Sequence, residues 1–134
     1  SILIFVKTKY GTEKLSKALS KKKIKSFPLH GGLRQSKRNT IMKSFRDMKF
    51  RILIATDVAA RGIDVPHIEH VINYDLPQMA EDFIHRIGRT ARAGSKGIAL
   101  SFVTKGDFAK WKEIQKILNP EKNYTNQKSS KIKK

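Results

Sequence analysis

The 134-residue sequence predicts an α/β domain: a doubly wound, mainly parallel sheet with helices on both faces. Two patterns lead there. Short runs rich in Ile and Val recur along the chain and read as strands buried on both faces. Between them, apolar residues fall at helical spacing. Alternation of the two favours parallel strands joined by right-handed crossovers, and such sheets bind ligands beyond the carboxyl ends of their strands.

The first strand is expected at Ile2 to Val6, followed by Lys7-Thr8-Lys9 and a helix carrying Leu15, Ala18 and Leu19 on one face. Ser26 to Leu29 is the second strand, and His30-Gly31-Gly32 turns the chain toward a helix with Ile41, Met42, Phe45 and Met48. The third, Ile52 to Ala55, runs into Thr56-Asp57. His70 to Tyr74 is the fourth, followed by Asp75 and a helix with Ala80, Phe83, Ile84 and Ile87. Ile98 to Val103 is the fifth, and Phe108, Trp111, Ile114 and Leu118 mark the last helix. Polar and small residues thus collect where the strands end. After Leu118 the pattern stops: residues 119–134 hold Pro120, five lysines and little that is apolar. They are expected to form a disordered basic tail behind one folded domain at 1–118.

Composition narrows the partners. The chain has 29 Lys and Arg against 11 Asp and Glu, a formal charge of +18, which points to a polyanion such as nucleic acid or an anionic membrane surface. No apolar run approaches the roughly 18 residues of a membrane span, and no signal peptide is present, so the chain reads as soluble, non-membrane and cytoplasmic. It has no cysteine, and His30, His67, His70 and His85 lack a zinc spacing, so neither metal nor redox chemistry is expected of it. Because Ser1 runs straight into a strand, the chain is expected to be cut from a longer protein. Lys is spread widely, whereas six of the arginines, Arg34, Arg38, Arg61, Arg86, Arg89 and Arg92, fall in three short blocks. Arg at few, clustered positions suggests a need for the planar fork that matches phosphate oxygens.

The most informative block is His85 to Gly94. If residues 80–92 are helical at about 100° per residue, Ala80, Phe83, Ile84, Ile87 and Ala91 share one face and His85, Arg89 and Arg92 the other. Such a group suits a phosphoryl group in transfer, where arginine fingers neutralise growing charge. The blander alternative is a solvated helix face. Gly88 costs about 1 kcal/mol inside a helix and signals close packing or an early break. In the second block, Ile52 to Pro66, Thr56 could bond a phosphate, Gly62 could let backbone approach a ligand and Asp64 could accept from a ribose hydroxyl. Taken alone, each favours a turn or cap instead. In the third, Leu29 to Arg38, the Gly31-Gly32 turn, a helix N-terminus and Arg38 in its first turn favour phosphate, against a plain strand-to-helix connection.

Taken together, the blocks resemble the C-terminal RecA-like domain of the DEAD-box RNA helicases, from Ser1 to about Leu118. Ile2 to Lys9 is similar to motif IV, Gln35 to Arg38 to the Gln-x-x-Arg motif, Ala55 to Asp64 to motif V and His85 to Arg92 to motif VI. RecQ-like DNA helicases usually carry Gln in place of His85, so the RNA-acting branch is the closer one. Ala91 stands where the family commonly has Gly. The resemblance implies that Arg89 and Arg92 are paired arginine fingers on the ATP γ-phosphate and that His85 helps couple two domains. It implies ATP contacts from Asp64 and the Gly62 backbone, and RNA-backbone contacts from Thr56, Gln35, Arg38 and Gly31-Gly32, with Thr8 and Lys9 weaker. The sequence has no Gly-x-x-x-x-Gly-Lys-Ser/Thr phosphate loop and no Asp-Glu-Ala-Asp run. The implied site is therefore a cleft shared with an N-terminal RecA-like domain of the same chain, which would hold Mg2+, in a monomeric protein. By itself this piece is expected to be inactive. Two other classes compete: a sequence-neutral nucleic-acid-binding module without ATP turnover, and a scaffold that docks an acidic protein through its lysines.

Overall fold

Strands and helices alternate as β1 (Ile2–Phe5), α1 (Lys9–Lys21), β2 (Phe27–Leu29), α2 (Gln35–Arg46), β3 (Ile52–Ala55), a single turn α3 (Asp57–Ala60), β4 (His70–Asn73), α4 (Ala80–Ile87) and β5 (Ile98–Ser101). A 3₁₀ turn (Lys105–Asp107) then leads into α5 (Phe108–Leu118). The computed structural model describes residues 1–61, 63–65, 67–90 and 97–119; Gly62, Arg92 and the tail from residue 120 lie outside them. The five strands form one sheet in the order β2-β3-β1-β4-β5. Every pair is parallel, with Ile2 opposite Ile52 on one side and His70 on the other. The doubly wound α/β class read from the sequence is the fold observed.

Alternation along the strands covers both faces. Leu3 and Phe5 of β1, with Leu29, Leu53, Ala55 and Val71, point toward α2, where they meet Ile41 and Phe45. Ile4, Val6 and Ile54 point the other way, against Leu15 and Leu19 of α1. Fully burying each such side chain contributes about 1.5–3 kcal/mol, so these two layers supply most of the cohesion. A third cluster joins α4 to α5 through Phe83, Val103 and Ile114, with the Phe83 and Trp111 rings edge to face at 5.9 Å.

The helix starts are locally determined. Thr8 caps α1, its Oγ1 accepting from the Gly11 amide at 2.9 Å. A Cβ at Gly11 would lie 2.6 Å from Val6 Cγ1, so glycine is what lets α1 begin so close to the end of β1. Thr56 caps α3 in the same way, at 3.4 Å from the Ala59 amide. At the end of α2, a 2.9 Å hydrogen bond from Lys43 Nζ, together with that ammonium's charge, holds the Asp47 carboxyl below its ordinary pKa.

Helix α4 departs from the expected pattern in two ways. It ends at Ile87 with Gly88 as its cap, rather than running to residue 92, in line with the break that Gly88 signalled. Its buried stripe is also rotated: Ala80, Phe83 and Arg86 face inward, while Ile84, expected on the core face, is 39% exposed. The physical reason is Arg86, only 2% exposed. Its Nε and Nη2 donate to the two Asp57 carboxylate oxygens, both at 2.7 Å. Its Nη1 donates to Asn73 Oδ1 at 3.2 Å and to the Asp75 carbonyl. The guanidinium carbon lies 4.9 Å from the centre of the Phe5 ring. Asn73 in turn donates to Ser101 Oγ at 3.1 Å. One side chain thus ties α4 to the ends of β3, β1 and β4, and through Asn73 to β5.

Two stability measurements follow from this packing. Phe45→Ala is expected to cost about 3–5 kcal/mol in denaturant unfolding, and Ile84→Ala less than about 1 kcal/mol. Asp57→Ala, which strands a buried guanidinium, is expected to cost about 3–5 kcal/mol; a midpoint equal to wild type would remove the pair from the framework.

Candidate functional site at the carboxyl ends of the strands

With all strands parallel, their carboxyl ends fall on one edge, and the residues that follow them form a row: His30-Gly31-Gly32 after β2, Thr56-Asp57 after β3, Lys7-Thr8 after β1 and Tyr74-Asp75 after β4. Chain direction changes between β1 and β4: β1 leads through α1 to β2 on one side, and β4 leads through α4 to β5 on the other. That is the switch point at which open α/β sheets bind ligands.

An open cleft of about 400 Å³ lies here, lined by Phe5, Asp57, Arg61, Asp82, His85 and Arg89 above the buried Arg86. Arg89, half-buried, donates from Nη1 to the Ile63 carbonyl at 2.8 Å, and the neighbouring Thr90 hydroxyl donates to the Ile68 carbonyl at 2.8 Å. These two bonds pin the end of α4 to the loop that carries Asp64. His85 is exposed, with Nδ1 at 3.6 Å from Asp82 Oδ1. Arg61, His85 and Arg89 therefore offer donors to one space, while of the two carboxylates that line it Asp57 is occupied by Arg86 and Asp82 lies beside His85. Such a set suits an anion with several oxygens. Asp64 is exposed on the adjoining loop and does not line this cleft.

A second cleft, about 420 Å³, adjoins the first. Gln35, Arg38 and Arg46 of α2 face Arg61 and Ile63 across it. Arg61 is a wall of both clefts, and Ile63, whose carbonyl holds Arg89, lines the second. Gln35 Nε2 donates to Asn39 Oδ1 at 2.8 Å along the helix.

The remaining sequence candidates sit along the same edge but line neither cleft. Thr8 and Thr56 are helix caps, the structural role that the sequence left open for Thr56, and each keeps a hydroxyl proton to donate. The Gly32 amide donates to His30 Nδ1 at 3.0 Å, and His30 Nε2 lies 2.8 Å from Glu13 Oε2, which ties this turn to α1. Gly32 therefore offers its amide to a ligand only if His30 turns away, whereas no atom comes within 4 Å of a Cβ built on Gly31. Lys9 borders the turn, its Cδ 3.5 Å from a Cβ built on Gly32. Gly62 and Arg92 lie outside the described residues. Among the described residues, no three His, Cys, Asp or Glu side chains converge as a metal site. Nor is any helix among them long and apolar enough to cross a membrane.

Sequence reasoning passed over Arg61, Arg86, Asp57 and Asn73 as site residues. Arg86 was visible only as an arginine where a lysine would have sufficed for a solvated face. Its partners are 11 to 29 residues away, and periodicity carries no information on such pairs.

Comparison with known proteins agrees with this geometry. Residues 1–94 match the helicase conserved C-terminal domain. The ATP-dependent RNA helicase FAL1 of Saccharomyces cerevisiae is 47% identical over 115 residues, covering 86% of this chain and 29% of that protein. The DEAD-box ATP-dependent RNA helicase CshA of Bacillus cereus is 43% identical over 114 residues, covering 85% of this chain and 22% of that one. Among solved structures, S. cerevisiae Dbp5 bound to RNA and ADP BeF3 superposes with a TM-score of 0.84 at 40% identity, covering 91% of this chain and 33% of that one. E. coli DEAD-box protein SrmB, bound to regulator of ribonuclease activity A, gives 0.81 at 39%, covering 87% and 68%. The chain thus spans less than a third of the length of these curated relatives. The parallel sheet, its arginine-bearing edge and these matches converge: the chain belongs to the helicase conserved C-terminal domain family, in its DEAD-box branch.

Proposed function

We propose that this chain is the C-terminal half of an ATP-dependent RNA helicase and supplies arginine to an ATP site completed by an N-terminal RecA-like domain. The observation that carries this reading is the cleft in which Arg89, braced on the Ile63 carbonyl, stands beside Arg61 and His85, in a chain with no phosphate loop of its own. Arg89 and Arg92 act on the γ-phosphate, Asp64 and the Gly62 backbone contact the nucleotide, and His85 couples the two domains. RNA runs along the strand-end edge, its backbone held by Gln35, Arg38, Thr56 and the Gly31-Gly32 turn, with Thr8 and Lys9 beside it. Mg2+ is held by the partner domain. The protein acts as a monomer in the cytoplasm.

In this mechanism, domain closure around both ligands brings Arg89 to the transferring phosphoryl group, and the fixed guanidinium stabilises charge that develops there. Arg61, shared by the two clefts, gives RNA on the α2 side a physical path to the Arg89 side. Hydrolysis then depends on RNA, and bending of one bound strand separates it from its complement.

In the intact protein, Arg89→Ala is expected to lower RNA-stimulated ATP hydrolysis by about 10³-fold or more. RNA affinity and its salt dependence should hardly move, because losing a phosphate contact would reduce the slope by about 0.7–1. Unchanged hydrolysis with a shallower slope would instead mark a sequence-neutral nucleic-acid-binding module. The isolated 134-residue chain is expected to show no ATP turnover with or without RNA, and reproducible turnover by pure chain would contradict the shared site.

A further inference from the structure

The lysines are less evenly spread than their total suggests. Between Lys7 and Lys25 there are eight lysines and one acidic residue, Glu13. Glu13 places its carboxylate 2.8 Å from His30 Nε2 while also bordering the outer surface of α1, so it offsets only part of the lysine charge there. On that surface Tyr10, Lys14, Lys17 and Lys21 are all exposed, and their i, i+4, i+7, i+11 spacing places them in one stripe. At 1.5 Å rise per residue the stripe is about 16 Å long. Tyr10 is 73% exposed, so its ring is accessible. Together with Ala18 and the lysine stems it forms a shallow groove.

A solvated helix face gains a few tenths of a kcal/mol from each Glu–Lys pair at i, i+4 and loses as much from like charges. Here Glu13 stands four residues before Lys17, but its carboxylate lies 2.8 Å from His30 Nε2; Lys14 and Lys21 have no acidic residue three or four positions away, and Lys17 is set against Lys21 at that spacing. A row of cations with an accessible ring at its start suits single-stranded nucleic acid: charge that tracks the backbone and a surface on which a base stacks. The row also has a defined start. It leaves the strand-end edge at Thr8 and Lys9, where Lys9 borders the Gly31-Gly32 turn, and runs away along α1.

We propose that the outer face of α1 (Tyr10, Lys14, Lys17 and Lys21) is a second contact surface for single-stranded RNA, continuing the path from the strand-end edge. This rests on the RNA reading above. The lysines contact phosphates and Tyr10 stacks on one base. A strand that fills only the strand-end site does not reach the stripe, whereas a longer one gains from it without sequence preference.

The test measures binding of labelled oligouridines of 10 and 25 nucleotides to the intact protein across a salt series. The Lys14→Ala/Lys17→Ala/Lys21→Ala variant is compared with Lys105→Ala/Lys112→Ala/Lys116→Ala, which removes the same charge near and along α5. Alanine is the best helix former, so the first variant keeps α1. The α1 variant is expected to lose tenfold or more in affinity for the 25-mer, with the salt slope falling by about 2, and to bind the 10-mer within twofold of wild type. Tyr10→Ala should weaken the 25-mer fivefold or more, and Tyr10→Phe should restore it, since stacking needs only the ring. Equal losses in the α1 and α5 variants, or equal losses for both RNA lengths, would overturn the proposal in favour of diffuse attraction. The underlying RNA reading has its own readout, 10-mer binding by wild type and its loss in Arg38→Ala; with that intact, an α1 variant indistinguishable from wild type overturns the stripe alone.

Discussion

The Arg86–Asp57 pair organises the working edge of this domain. Two parallel bonds of 2.7 Å fix the guanidinium, and its remaining contacts reach Asn73, the Asp75 carbonyl and the Phe5 ring. A buried pair of this kind is weak evidence for net stability, because desolvation offsets much of the attraction. Its value is geometric. It sets the rotation of α4 about its own axis, and that rotation decides that Arg89 faces the Ile63 carbonyl and His85 faces the cleft. Asp57 is also the first residue of α3, directly after Thr56, so the strand-end loop and α4 share one anchor.

This arrangement explains a division of labour among the cations. Arg86 is structural, Arg89 is braced on a backbone carbonyl, and Arg61 belongs to two clefts. Arg86 uses the planar fork for two parallel bonds and for contacts on more than one side. Lysine instead populates the surfaces, where a mobile point charge is sufficient.

Much of this was legible in the sequence because it is local. The five strands, the helices between them and the gathering of polar residues at one edge follow from periodicity, and the early end of α4 follows from Gly88. The rotation of α4 was not legible. A helical projection ranks Ile84 as core because it counts hydrophobicity, but the packed α4 prefers a charged residue with four polar contacts over an isoleucine. The cap role of Thr56 was half legible, since the same hydroxyl that serves a backbone amide within its own turn also suits a ligand, whereas that of Thr8 was not.

The order of strands has a consequence for how the chain acquires its structure. β1, the first of the five strands in chain order, lies at the centre of the sheet, where Ile2 pairs with Ile52 on one side and His70 on the other. Neither neighbour is close in sequence, so the central strand has no hydrogen-bonded partner until a large loop has closed. Folding of such a topology is governed by distant pairings, which slows it relative to helical domains of similar size. During synthesis the apolar run from Ile2 to Val6 must therefore wait, unpaired, until β3 and then β4 have left the ribosome.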